Sequence, residues 1–245
     1  MVSLEIGRLL MEAGTSAYNV EQTIIGVATG LGADIVDVQV GYGSLTITVG
    51  IDSAAITRTR KVGPLGANQR LHYAVGALAE KIKSREFSGS GARAELDRLV
   101  RVCPRHGDFV VAISVGLACA ALGRLLDADW PGVGPIFAAA TIAQLVRRQL
   151  ALRNVNVFLV TFAVAFLGSI LCGFVGRLAG SNTVPRDMVS TVLLLVPGVP
   201  AFNAQLDMLE GRPGLGAARA AWVLTTLVFM SLGVWLALGL LGEIR

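Results

Sequence analysis

Apolar and polar positions alternate in two different ways along the chain, and the change falls near residue 105. In residues 3–31 the apolar side chains Leu4, Leu9, Leu10, Ala13, Tyr18, Ile24, Ile25 and Ala28 recur at helical spacing. Gly14 interrupts this pattern, and Gly30 and Gly32 end it. Residues 34–40 alternate imperfectly, whereas 44–49 (SLTITV) alternate strictly, as a half-buried strand should. Gly41-Tyr42-Gly43 between them reads as a hairpin turn rather than a binding loop. A third strand is expected over 55–62, carrying Arg58, Arg60 and Lys61 and stopped by Gly63-Pro64. Helices over 67–86 and 92–102 follow, separated by a Ser-Gly-Ser-Gly linker at 88–91. Residues 1–105 thus predict a small cytoplasmic α+β domain.

Beyond that point long apolar runs take over. A bilayer core needs about 20 apolar residues as helix. Five runs fit, over about 109–126, 131–146, 155–176, 188–207 and 217–241. The fold class expected is an α-helical membrane protein of about five transmembrane helices preceded by the α+β domain, with 106–245 as the transmembrane domain.

Composition agrees with this division. The chain is 53% hydrophobic and 16% charged, with mean hydropathy +0.65; soluble domains carry about 25% charged residues. Of 21 Lys and Arg, 12 lie in residues 1–105, including all three Lys. That bias keeps the N-terminus cytoplasmic, and an odd number of spans then puts the C-terminus outside the cell (inner) membrane. Glu5, Arg8 and Glu12 exclude a signal-peptide apolar core, so insertion must come from the internal spans. The net charge of +4, without a basic stripe interleaved with aromatics, argues against nucleic acid and for the lipid bilayer as partner.

The fourth run holds the most informative pattern. Pro197-Gly198-Val199-Pro200 breaks it near its middle. Lipid cannot satisfy the backbone groups so freed, and broken helices therefore face protein or water. A half-helix starting near Pro200 would direct its N–H groups at an anion, as in the discontinuous helices of secondary transporters. Pro197, Gly198, Pro200 and Asn203 are therefore the candidate substrate-binding residues, and Asp207 the candidate for proton coupling. A structural kink is the competing reading, and Asp207 reads equally as an interfacial or capping carboxylate.

Other polar residues carry less. Arg124 and Asp127, three apart, are expected to pair locally. Gln144, Asn154 and Asn156 suit either a polar path or helix–helix hydrogen bonds. Neither His72 nor His106 has a second His or Cys at ligand spacing, and Cys103, Cys119 and Cys172 form no framework, so no metal, cofactor or disulfide is expected. Without paired carboxylates, a His cluster or an activated nucleophile, the chain does not read as an enzyme.

Residues 9–32 (LLMEAGTSAYNVEQTIIGVATGLG) and 193–222 (LLLVPGVPAFNAQLDMLEGRPGLGAARAAW) resemble corresponding stretches of the bacterial threonine/serine exporter family. With the hairpin and the order of spans, the resemblance covers nearly the whole chain. It implies proton-coupled export of small hydrophilic metabolites: threonine and serine, or in one branch the dicarboxylate succinate. The longest members fuse two membrane halves of about ten spans in total, related as inverted repeats are. This chain corresponds to the first, longer half of the split type. The resemblance therefore implies a short second membrane subunit as partner, or a homo-oligomer in its place. A membrane-anchored sensor or assembly protein, in which the soluble domain carries the function, is the alternative.

Overall fold

The computed structural model describes residues 2–243 apart from 35, 51–54, 65, 67, 88 and 105. Ile35 of the first expected strand, Ser88 of the expected linker and the terminal Arg245 lie outside the described residues. The chain divides into two compact units, Met1–Arg105 with Val199–Ala220, and His106–Gly198 with Ala221–Arg245. Residues 199–220, expected within the transmembrane domain, thus group with the N-terminal residues.

The first unit begins with α1 (Val2–Glu12) and α2 (Ala17–Gly30), where a single interrupted helix was expected. Gly14 makes the separation possible because it takes φ 97°, which a side chain would disfavour. Ser16 then caps α2 by accepting the Asn19 N–H. Strands β1 (Val36–Val40), β2 (Ser44–Val49) and β3 (Ile56–Lys61) form an antiparallel sheet in the order β1-β2-β3. Strict alternation in β2 turns Leu45 and Ile47 inward, both fully buried, and leaves Thr46 and Thr48 to hydrogen-bond Thr59 and Thr57 across the strand pair. β3 is exposed along its whole length, and Arg58, Arg60 and Lys61 protect this edge from pairing with another chain. Helices α3 (Gln69–Lys83) and α4 (Gly89–Val102) complete the core, in which Leu4, Ile6, Ile24, Ile47, Ile82 and Leu96 are packed together. Residues 89–91 of the expected linker are instead the first turn of α4.

On α1, Arg8 holds Glu5 at 2.6 Å and Glu12 at 2.7 Å. The Arg8 hydrogen bond keeps the Glu5 carboxyl below the usual glutamate range, despite partial burial. A lowered carboxyl pKa stabilises the fold fully above the ordinary value of about 4.3, and the contribution disappears as pH falls through the lowered one. Thermal unfolding of the wild type should therefore show a falling midpoint below about pH 4, and Arg8→Met should flatten that fall. An acid limb unchanged by the substitution would contradict the assignment.

The second unit contains α5 (Asp108–Leu125), α6 (Trp130–Leu152), α7 (Val157–Leu178), α8 (Val184–Ser190) and a 3-10 turn at Leu193–Leu195. It also takes residues 221–240 of α10 (Pro213–Leu240). Among the described residues three helices, α5, α7 and α10, are long and apolar enough to cross a membrane. A fourth span results if Val184–Leu195 and the helix Gly198–Leu209 count as one bent element. α6, expected to span over 131–146, is one continuous helix of 23 residues that includes Gly132, Gly134 and Pro135 in its first turns and carries Arg147 and Arg148 near its end. Small residues let the helices approach closely: a Cβ on Gly116 of α5 would stand 2.7 Å from the Phe137 carbonyl of α6, and one on Gly233 of α10 2.6 Å from that of Phe162.

Two local expectations change. Arg124 does not pair with Asp127; it donates to the Ala128 carbonyl and stacks over the Trp130 ring, 4.5 Å from its centroid. Asp127 takes φ 62° just past α5, so the chain turns there and the three-residue spacing no longer describes a helix face. Asn156 caps α7 by accepting the Phe158 N–H at 2.9 Å, and Asn154 sits at φ 54° in the preceding turn. Both therefore shape a connection instead of bridging helices.

Candidate functional site

The break in the fourth apolar run is resolved by backbone chemistry. Pro197 lies in the interruption, Gly198 opens α9 (Gly198–Leu209), and Pro200 sits in its first turn, where a missing N–H leaves no helical bond unmade. Asn203 and Asp207, four residues apart, fall on one face of α9 and both are buried. The helix ends at Gly211, φ 78°, with the Arg212 N–H closing on the Asp207 carbonyl at 2.8 Å. This Schellman closure reverses the chain. Gly216 permits the return: a Cβ there would meet the Ala204 carbonyl at 2.8 Å. The first turns of α10 consequently lie against α9.

That reversal assembles a polar cluster inside the first unit. Arg219 Nη1 donates to Asp207 Oδ2 at 2.6 Å, with side-chain exposures of 9% and 0%. Asn203 Nδ2 donates to the Gly14 carbonyl at 2.8 Å, in the turn between α1 and α2. Arg212 Nη2 donates to Glu21 Oε2 at 2.6 Å, and its guanidinium lies over the Tyr18 ring, 5.8 Å from the centroid. Among the described residues, two buried atoms here, Asp207 Oδ1 and Arg212 Nη1, have no hydrogen-bond partner. Buried polar atoms are nearly always paired, so each such atom marks a position with unused binding capacity.

Of the residues singled out in the sequence, the structure brings Asn203 and Asp207 into this cluster. It leaves Pro197, Gly198 and Pro200 at the start of α9, half-buried or exposed. Arg212, Arg219, Glu21 and Tyr18 were not anticipated. The two arginines read as loop charges in the sequence, and Glu21 as one polar position on a helix. Chemically, the cluster offers a buried carboxylate–guanidinium pair beside a second guanidinium with a free donor, which suits the recognition of a carboxylate.

Interruption of an apolar run, as at Pro197, recurs in the discontinuous helices of secondary transporters. The chain matches the family described as "Putative threonine/serine exporter" over residues 1–241, and it belongs to that family. It is 28% identical over 242 residues, 98% of its own length and 93% of the relative's, to the "Probable succinate transporter subunit YjjP" of Escherichia coli (strain K12). It is 27% identical over 236 residues, 95% of its length and 90% of the relative's, to the protein of the same description in Klebsiella aerogenes. An "Uncharacterized protein" of Haemophilus influenzae is 23% identical over 245 residues, 85% of this chain and 81% of that one. No solved structure matches the chain.

Proposed function

We propose that this chain is one subunit of a proton-coupled secondary transporter that exports small carboxylate-bearing metabolites, either threonine and serine or a dicarboxylate such as succinate. The observation that carries the reading is the Asp207–Arg219 pair with the unpartnered Arg212 Nη1 beside it, at the end of the interrupted helix. A substrate carboxylate would engage Arg212, drawing on the Nη1 donor that has no partner among the described residues. As it competes for Arg219, Asp207 would take up a proton, so that no unpaired charge stays buried. The relatives described as succinate transporter subunits favour the dicarboxylate and a transporter of more than one subunit.

In the membrane we count α6 as a span, because 23 residues rise about 34 Å as helix, enough for a hydrocarbon core of about 30 Å. With the broken element this makes five, an inside N-terminus and an outside C-terminus in the inner membrane. A short second membrane subunit would then supply the complementary half, or a homo-oligomer would replace it.

The test is efflux of labelled succinate, threonine and serine from a deletion strain, with this gene alone and with a candidate partner gene. Export restored for one substrate class supports the reading. Unchanged efflux of all three with both genes present would end it. Arg212→Lys preserves the charge facing Glu21 but loses the planar fork. A charge-assisted hydrogen bond contributes about 1.5–3 kcal/mol, so half-maximal export should need roughly ten-fold more substrate or above. An unchanged concentration dependence would remove Arg212 from the site.

A further inference from the structure

A second polar cluster, in the other unit, plays no part in the foregoing. Asp187 of α8 has no exposed surface. Among the described residues no cation neutralises it: Arg124 is occupied by the Ala128 carbonyl and the Trp130 ring, Arg177 by Glu243, and Arg186 on the same helix is exposed. α8 packs against α5, α6 and α7, and against the apolar Ala237 and Leu238 of α10; the groups facing Asp187 are the Asp129 carboxyl at the start of α6, the hydroxyls of Ser181 and Thr183, and the Cys172 thiol of α7. An ionised carboxylate buried without a counter-charge costs several kcal/mol. Burial alone therefore asks for a neutral group.

Counting hydrogens leads to the same place independently. Thr183 Oγ1 accepts the Asp129 N–H at 3.0 Å and gives its only proton to Asp187 Oδ1 at 3.0 Å. Ser181 Oγ accepts the Thr183 N–H at 3.1 Å. It also stands 2.6 Å from Asp187 Oδ2 and 2.9 Å from Asp129 Oδ1, yet a hydroxyl has one proton to donate. With both carboxyls ionised, one of these contacts would be oxygen against oxygen with no hydrogen between them. One added proton completes the set. Asp187 Oδ2–H then donates to Ser181, and Ser181 donates to Asp129.

We propose that Asp187 is a proton-binding site, held as the neutral acid and connected to Asp129 through the Ser181 hydroxyl. Asp129 is suited to the ionised end. It is half-buried, and N–H groups of Asn182 at 2.7 Å and Gly132 at 2.9 Å point at its carboxylate. These bonds, that of Asn182 foremost, hold it below the usual aspartate range. Release proceeds in one concerted step: Ser181 takes the Asp187 proton while passing its own to Asp129. Asp187 is left as a carboxylate accepting two hydroxyl donors, and Asp129 yields the proton to water. Gly132 is required for this arrangement, since a Cβ there would lie 2.7 Å from the Asp187 Cγ. Only the use of the proton rests on the exporter reading; α8 leads through the 3-10 turn at Leu193–Leu195 to the interruption at Pro197, which would let the charge state of Asp187 act on that segment.

Infrared spectroscopy of the full chain in lipid nanodiscs tests the assignment. At neutral pH the wild type should show a carboxylic-acid C=O band that is lost in Asp187→Asn and kept in Asp207→Asn. Asp129→Asn removes the like charge facing Asp187, so the band should titrate at lower pH. That second variant decides the matter if Asp187→Asn does not fold. A wild type without the band, a band surviving in Asp187→Asn, or a titration unmoved in Asp129→Asn would each overturn the proposal. Failure of the exporter reading shows separately, as a wild type that moves no labelled substrate while the band persists.

Discussion

Replacing Arg219 with alanine is expected to destabilise the protein by about 3–5 kcal/mol, because it leaves the Asp207 carboxylate buried without the guanidinium that hydrogen-bonds it. Asp207 is fully buried, and the guanidinium that neutralises it is itself only 9% exposed, so neither solvent nor salt can substitute for the partner. For a chain of this size the unfolding midpoint should fall by on the order of 10 °C. Removing both charges tells the pair apart from its packing. Asp207→Asn with Arg219→Met replaces the ion pair by groups of similar volume, and buried pairs exchanged in this way often lose little stability. The double variant should therefore recover most of the loss. Thermal unfolding of the detergent-solubilised protein reads both results, and a single variant that melts with the wild type would show that the pair is not buried in solution. Recovery of stability without recovery of export would locate the functional use of the charges in the site itself.

Gly116→Leu should have the next largest effect. The obstacle to a side chain at this position is partly backbone: the Phe137 carbonyl lies 2.7 Å from where a Cβ would stand, with the Thr141 hydroxyl also in contact. A flexible neighbour could move aside, but a carbonyl within α6 cannot move without the helix. Overpacking costs about 1–3 kcal/mol where side chains can adjust, and here α5 and α6 must separate. The variant should reach the membrane in reduced amount and be degraded, as judged by its steady-state level against wild type. Gly134→Leu provides the control, because nothing lies within 4 Å of a Cβ there. Equal levels of the two variants would show that the α5–α6 contact is looser than described.

Much of the architecture can be read from local pattern because its cause is local. The strict alternation of 44–49 identifies a strand with Leu45 and Ile47 inside, since side chains of a strand alternate faces whatever it pairs with. Pro197 and Pro200 mark the interruption of the fourth apolar run, because proline lacks its N–H in any surroundings. The long apolar runs of α5, α7 and α10 likewise announce themselves. The first helix was less legible: helical spacing continues across Gly14, and only its φ of 97° with the Ser16 cap divides α1 from α2. Arg124 and Asp127 misled for a related reason. Spacing of three implies a shared face only while the helix lasts, and it ends between them.

The partners inside the two polar clusters were not legible at all. Asp207 and Arg219 meet because the Gly211 closure folds α10 back on α9, and Asn203 reaches Gly14 across 189 residues of sequence. Asp129 and Asp187 share Ser181 because two inter-helix turns lie side by side. Periodicity and composition record what each residue prefers as its surroundings, water, lipid or core, and that preference suffices to place helices, strands and breaks. Which charges come within 3 Å of one another depends on the angles at which the chain turns, and a few degrees at one glycine move a distant side chain by several ångströms. Hydrophobic order along the chain accounts for the architecture of this exporter-family protein; the placement of its buried charges arises only when the helices pack.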